Sequence, residues 1–152
     1  MATFVVRAAT IQSLLKARPH PFDATRVRET ASLGDQVGLK KTGIHKTWLA
    51  PHMVSTVEHF HDCDEEWFYI LRGGGTLLCA GECEDIAVSA GDFAGFTTAS
   101  RQPHAFRAGE EGMEYLIGGN REPVDICHYP LIGKALVINR GGENIVVDEK
   151  VK

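Results

Sequence analysis

Two imidazoles two residues apart, His59 and His61, are followed by a carboxylate at Glu66 and, far downstream, by a further imidazole at His104. Side chains of a strand alternate between its faces, so His59 and His61 point the same way. A polar loop, Asp62-Cys63-Asp64-Glu65, separates them from Glu66, which opens the next apolar run. On a hairpin-like return its carboxylate swings back toward the two imidazoles. His104 opens HAFRA after the turn-like stretch ASRQP. Three neutral imidazoles with one carboxylate suit one divalent transition-metal ion: Mn, Fe, Co, Ni, Cu or Zn. Four protein ligands leave one or two positions on a five- or six-coordinate ion for water, dioxygen or a bidentate substrate. That openness belongs to catalytic centres and is missing from closed structural zinc sites.

The elements that must position these groups are short strands. GIHKTWLA reads as a strand broken by Pro51, VSTVEHFH as a second, and EWFYILRG as a third rich in aromatic and β-branched residues. Glycines 73–75 read as a turn. TLLCA and CEDIAV flank Gly81-Glu82 as a hairpin, and SAGD turns again before DFAGFT. HAFRA, GEEG and MEYLIGG repeat the theme, with ALVI and NIVV as strands near the end. The pattern predicts an all-β antiparallel sandwich or barrel. Ahead of it, TFVV reads as a short strand, Thr10 as the cap of a helical turn carrying Ile11, Leu14 and Leu15, and residues 18–36 as an ordered loop. The expected organisation is an N-terminal segment over 1–40 packed on a barrel over 41–139, with a C-terminal tail or strand over 140–152.

The 152 residues suffice for one domain with a real core. Sixteen basic against twenty acidic residues, net −4, argue against non-specific nucleic-acid binding, and no helix-turn-helix pattern accompanies the barrel. No apolar run approaches a membrane span. The start, MATFVVRAATIQ, lacks the long apolar core of a secretory signal, since Arg7 interrupts it. The four cysteines, Cys63, Cys79, Cys83 and Cys127, form no disulfide or zinc-knuckle framework. A cytoplasmic location with reduced thiols is expected.

The stretch PHMVSTVEHFHDCDEEWFYILRGG resembles the first cupin motif: a His-x-His pair, four residues, a Glu, six residues and a Gly, here His59, His61, Glu66 and Gly73. AGDFAGFTTASRQPHAF resembles the second, with Gly91, Asp92 and His104. It departs from that motif at Thr97-Thr98, where a proline is expected. The resemblance covers roughly residues 40–120 and implies a double-stranded β-helix jelly-roll barrel holding a divalent metal on His59, His61, Glu66 and His104. Glu66 rather than Glu65 fits the spacing to Gly73. Many small cupins pair, so a homodimer is implied.

Cupin relatives include dioxygenases, isomerases, lyases and cyclases, so the implied function is a metal-dependent small-molecule enzyme. The alternative is a non-catalytic, metal-containing module that binds or senses a small ligand. If Glu66 faces inward, so do Phe68 and Ile70. Val57 shares the face of His59, and Gln102 and Phe106 that of His104. An apolar lining with one amide suggests a small, partly hydrophobic organic compound as ligand. Trp67 and Tyr69 then face outward, toward the N-terminal segment or a second copy. Asp62 and Asp64 read as loop charges. Cys127, His128 and Tyr129 in DICHYP read as structural.

Overall fold

Burial alternates along EWFYIL as a half-buried strand requires: Phe68 and Ile70 are buried, whereas Tyr69 and Leu71 are 41% and 40% exposed. The structure, a computed structural model, describes residues 3–81 and 83–150. It begins with a short helix, α1 (Ala8–Leu14), then β1 (Lys16–His20), β2 (Asp23–Ser32), a single helical turn, α2 (Leu33–Gln36), and β3 (Thr42–Leu49). There follow β4 (Phe60–His61), β5 (Glu66–Cys79), β6 (Ile86–Ser89) and β7 (Phe93–Phe96). β8 (His104–Asn120), β9 (Val124–Tyr129), β10 (Lys134–Asn139) and β11 (Ile145–Asp148) complete the order.

The strands pair antiparallel in two sheets. One runs β1-β2-β3-β8-β5-β6, with β7 added onto β5; the other runs β11-β10-β9-β4. The chain is thus mostly antiparallel β with a short N-terminal helix. The long pair β5 and β8 is the spine, in register from Glu66↔Gly119 to Cys79↔His104. One apolar cluster, including Leu49, Phe68, Phe106, Met113 and Tyr115, covers the inner face of the larger sheet. A smaller one, Val57, Cys127 and Tyr129 with Phe22, Leu136 and Ile138, belongs to the other sheet. Among the described residues no helix is long and apolar enough to cross a membrane.

Several expectations change. TFVV forms no strand, and Phe4 is 87% exposed. The helix is present, but Arg7 rather than Thr10 stands at its N-cap and supplies no side-chain cap. Residues 18–36 are largely strand, not loop: β1 and β2 extend the large sheet, and Pro19 is tolerated because β1 is the sheet edge. Glycines 73–75 make no turn. β5 continues through them with one register shift before them, between Ile70 and Arg72, and one within them, between Gly73 and Gly75, and a Cβ at Gly75 would fall onto the Arg107 carbonyl. Here glycine serves close backbone approach at bulges rather than reversal. GEEG likewise lies inside continuous β8, with Gly112 at φ +75. β6 returns along β5 after the Gly81-Glu82 stretch, of which Glu82 lies outside the described residues. NIVV pairs with β10 of its own chain as β11.

Candidate metal centre

His61 lies in β4, with His59 just before it, held by a bridge to His104 at the start of β8; Glu66 opens β5. Three strand starts thereby meet at one end of the space between the sheets. Glu66 Oε2 lies 3.0 Å from His104 Nε2, 3.5 Å from His59 Nε2 and 4.0 Å from His61 Nε2. The four sequence candidates are therefore brought together around one carboxylate oxygen.

Each imidazole is fixed through its other nitrogen. His59 Nδ1 donates to the Val57 carbonyl at 3.1 Å and His104 Nδ1 to the Gln102 carbonyl at 2.9 Å. His61 Nδ1 donates to Asp125 at 2.6 Å. Carbonyls only accept, so the neutral rings at His59 and His104 turn a lone pair at Nε2 toward Glu66. Such outer hydrogen bonds fix the tautomer of a metal-ligating histidine. Facing lone pairs and a carboxylate repel unless a proton or a cation lies among them, and this donor set fits a divalent transition metal.

The electrostatics of the ion-free cluster set the rings apart. Burial opposes ionisation of Glu66, yet the adjoining imidazoles of His104 and His59 hold its carboxyl well below the usual range. Burial pushes the His59 imidazole down, keeping it neutral. Burial also opposes charge on His61, but Asp125, Cys127 and Glu66 together push it up to about 11. Asp125 is itself fully buried, and its second oxygen accepts the backbone N–H groups of Cys63 and Asp64. Phe96 stacks on His104 with ring centroids 3.5 Å apart, fixing the plane of that ring.

The four groups line a cavity of about 410 Å³. Of the apolar pocket candidates, Phe68 and Phe106 line it. Val57 and Ile70 are buried in the two clusters instead. Gln102 turns its amide to the Ala80 and Pro103 carbonyls, where it braces the chain before His104. The remaining wall is more polar than an apolar pocket: His20, Arg28, Thr30, His45 and Thr47 line it from β1, β2 and β3. Burial and the Arg121 charge lower the pKa of His45, and burial and Arg28 bring His20 down to about 4. Arg121 and Arg140 also reach the cavity but are paired with Asp35 and Asp64. Arg28 donates to the Ser55 carbonyl at 3.2 Å and makes no ion pair among the described residues.

Sequence reasoning missed Arg28, because β2 was read as loop, and Asp125 and Cys127, because VDICHY carries its polar residues on the inside. Asp125, Cys127 and Tyr129 alternate inward along β9. Cys127 lies beside the cluster: its Sγ and one ring nitrogen each of His59 and His61 all lie within 4.8 Å of one another. His128 does turn away, bridging Asp62 and Glu149 and stacking on Phe60. Asp62 and Asp64 are structural rather than loose loop charges. Asp64 is buried, pairs with Arg140 and accepts the Glu122 N–H, and Asp62 holds His128 and Arg101.

The family model described as cupin domain matches residues 47–118. The crystal structure of a putative sugar phosphate isomerase from Acidithiobacillus ferrooxidans is 34% identical, over 95% of this chain and 91% of that one, with a TM-score of 0.85. A sugar phosphate isomerase of the cupin superfamily from Silicibacter pomeroyi shares 21% identity over 90% of both chains, at a TM-score of 0.80. The polyketide cyclase RemF from Streptomyces resistomycificus shares 21% identity over 80% of this chain and 81% of that one, at 0.62. The two at 21% show the fold. Among curated proteins nothing matches. The chain is a small antiparallel β-sandwich barrel with a His- and Glu-lined cavity between its sheets. It belongs to the cupin family.

Proposed function

We propose that this chain is a metal-dependent small-molecule enzyme of the cupin type, and that its reaction is the isomerisation of a sugar phosphate or a closely similar polyhydroxylated anion. The metal ligands are His59, His61, Glu66 and His104. A divalent ion held there supplies Lewis acidity toward adjacent carbonyl and hydroxyl oxygens of a substrate. The protein's own contribution is orientation, charge and exclusion of water. The observation that carries the reading is the pairing, in one cavity, of this cluster with an arginine that makes no ion pair among the described residues.

Arg28 favours an anionic group and departs from the partly hydrophobic ligand that the sequence suggested. A guanidinium presents a planar fork suited to phosphate or carboxylate oxygens. Threonine hydroxyls at 30 and 47 suit a polyol, and the neutral imidazole of His45 suits the proton transfer between neighbouring carbons that an aldose–ketose interconversion requires. The relative at 34% identity, named a putative sugar phosphate isomerase over nearly the whole length, supports the same substrate class. A homodimer accompanies this reading: Trp67 stacks on Phe93, itself 67% exposed, on the outer face, and a second copy would cover the pair.

The test is to purify the protein, identify its metal by elemental analysis and incubate it with a panel of aldose phosphates. Ketose phosphate formation, lost on chelation, is the expected result. Dioxygen uptake with catechol- or flavonol-type compounds on an iron- or copper-loaded protein would replace it with an oxygenase. Sugar phosphate binding without turnover under every metal would leave a binding module.

A further inference from the structure

The ligand set proposed above contains oxygen and nitrogen, but the cavity wall beside it also carries sulfur. Cys127 is the cross-strand partner of His61 in the β4–β9 pair and is 2% exposed. Its side chain lies in the inward row of β9, between Asp125, which fixes His61, and Tyr129, whose ring lies 5.7 Å from that of His59. Sγ and one nitrogen each of His59 and His61 fall within 4.8 Å of one another. The set His59, Glu66 and His104 meets the same limit, and His59 is common to both.

A second buried cysteine, the cross-strand partner of His104, belongs to no cluster of metal-ligating groups among the described residues. Cys79 sits at the far end of β5 in the apolar cluster, and burial pushes its thiol pKa up. Cys127 instead lies within 4.8 Å of a ring nitrogen from each of two imidazoles. Cys83 and Cys63 are exposed, and none of the four cysteines is in a disulfide.

We propose that Cys127 Sγ, contributed by β9, would be a further ligand of the metal that His59, His61, Glu66 and His104 would hold. The inference rests on the metal-centre reading above. A thiolate in the set biases the site toward Co, Zn, Cu or Fe and away from hard ions such as Mg and Mn. On binding, the thiol proton leaves to solvent and the S–metal bond forms with no change of oxidation state, so no co-reactant is needed.

Titration of the metal-free full chain with Co²⁺ tests this by absorption spectroscopy. The expected result is a set of visible d–d bands, reporting a bound ion, together with a near-ultraviolet thiolate-to-cobalt charge-transfer band. Cys127→Ser removes the charge-transfer band and keeps the d–d bands, while Cys79→Ser keeps both. Visible bands in the wild type without the charge-transfer band overturn the thiolate ligand and leave the four-ligand reading standing. No visible bands at all overturn both. Should Cys127→Ser fail to fold, X-ray absorption of the Zn-loaded wild type decides instead. A sulfur shell at about 2.3 Å supports the proposal and a shell of nitrogen and oxygen alone overturns it.

Discussion

The stretch matched by the family model and the strands flanking it contribute differently to the site. Residues 47–118 supply His59, His61, Glu66 and His104, whose nitrogens and oxygen converge. The flanks supply what surrounds them: Arg28 from β2 on one side, Asp125 and Cys127 from β9 on the other. The matched part therefore supplies the four converging imidazole and carboxylate groups. The flanks decide how one imidazole is oriented and which groups stand beside it. Two cupins with identical motifs can differ in chemistry through strands that the motifs do not mention.

The comparison breaks first if the motif residues prove dispensable. Glu66→Gln and His59→Ala are expected to abolish stoichiometric metal binding and all metal-dependent turnover, read by elemental analysis and assay. Both should keep a cooperative thermal transition, because the core built on Leu49, Phe68, Phe106, Met113 and Tyr115 does not pass through the cluster. An unfolded variant at room temperature would make the metal a structural one.

The flank is probed next by Asp125→Asn. Oδ1 can go on accepting the Cys63 and Asp64 amides, so the loop keeps its bonds. The new amide, however, presents N–H groups to His61 Nδ1 where a carboxylate oxygen accepted a proton. His61 then favours the tautomer protonated at Nε2, which faces Glu66 and blocks a ligand lone pair. Metal affinity should fall by about 10–100-fold, in the range of outer-shell substitutions. Competition with a chelator measures it. An unchanged affinity would reduce Asp125 to a loop clamp.

The division between matched region and flanks is also the division between what was readable and what was not. His59, His61 and Glu66 were legible because period-two spacing and a short loop constrain geometry locally. His104 was legible through its resemblance to the second motif, and the antiparallel β class through its turns and strand periods. β1 and β2 were not: Pro19 and Pro21 argue for a loop, and the edge position of β1 that tolerates Pro19 is a tertiary fact. β9 was not, because its buried positions carry Asp125 and Cys127, which reverses the pattern by which strands are recognised. The glycines at 73–75 signalled close backbone approach and were read as a reversal, two demands that produce the same residue.

The last effects, ending in the smallest, belong to Arg28 and bear on the flank's second task, selecting the substrate. Arg28→Ala removes a charge-assisted contact worth about 1.5–3 kcal/mol, so about 10–100-fold in KM for an aldose phosphate, with metal content unchanged. Arg28→Lys keeps the charge but loses the planar fork and the bond to the Ser55 carbonyl. It should therefore recover part of the loss and leave a residual deficit of a few fold. The ratio of the two variants is the informative quantity. If lysine restores wild-type KM, Arg28 acts as a point charge; if alanine and lysine are equally impaired, the geometry of the fork decides. If neither changes KM for the phosphorylated sugar relative to the same sugar without its phosphate, the anion does not sit at Arg28, and the polar wall of β2 and β3 selects on hydroxyl groups alone.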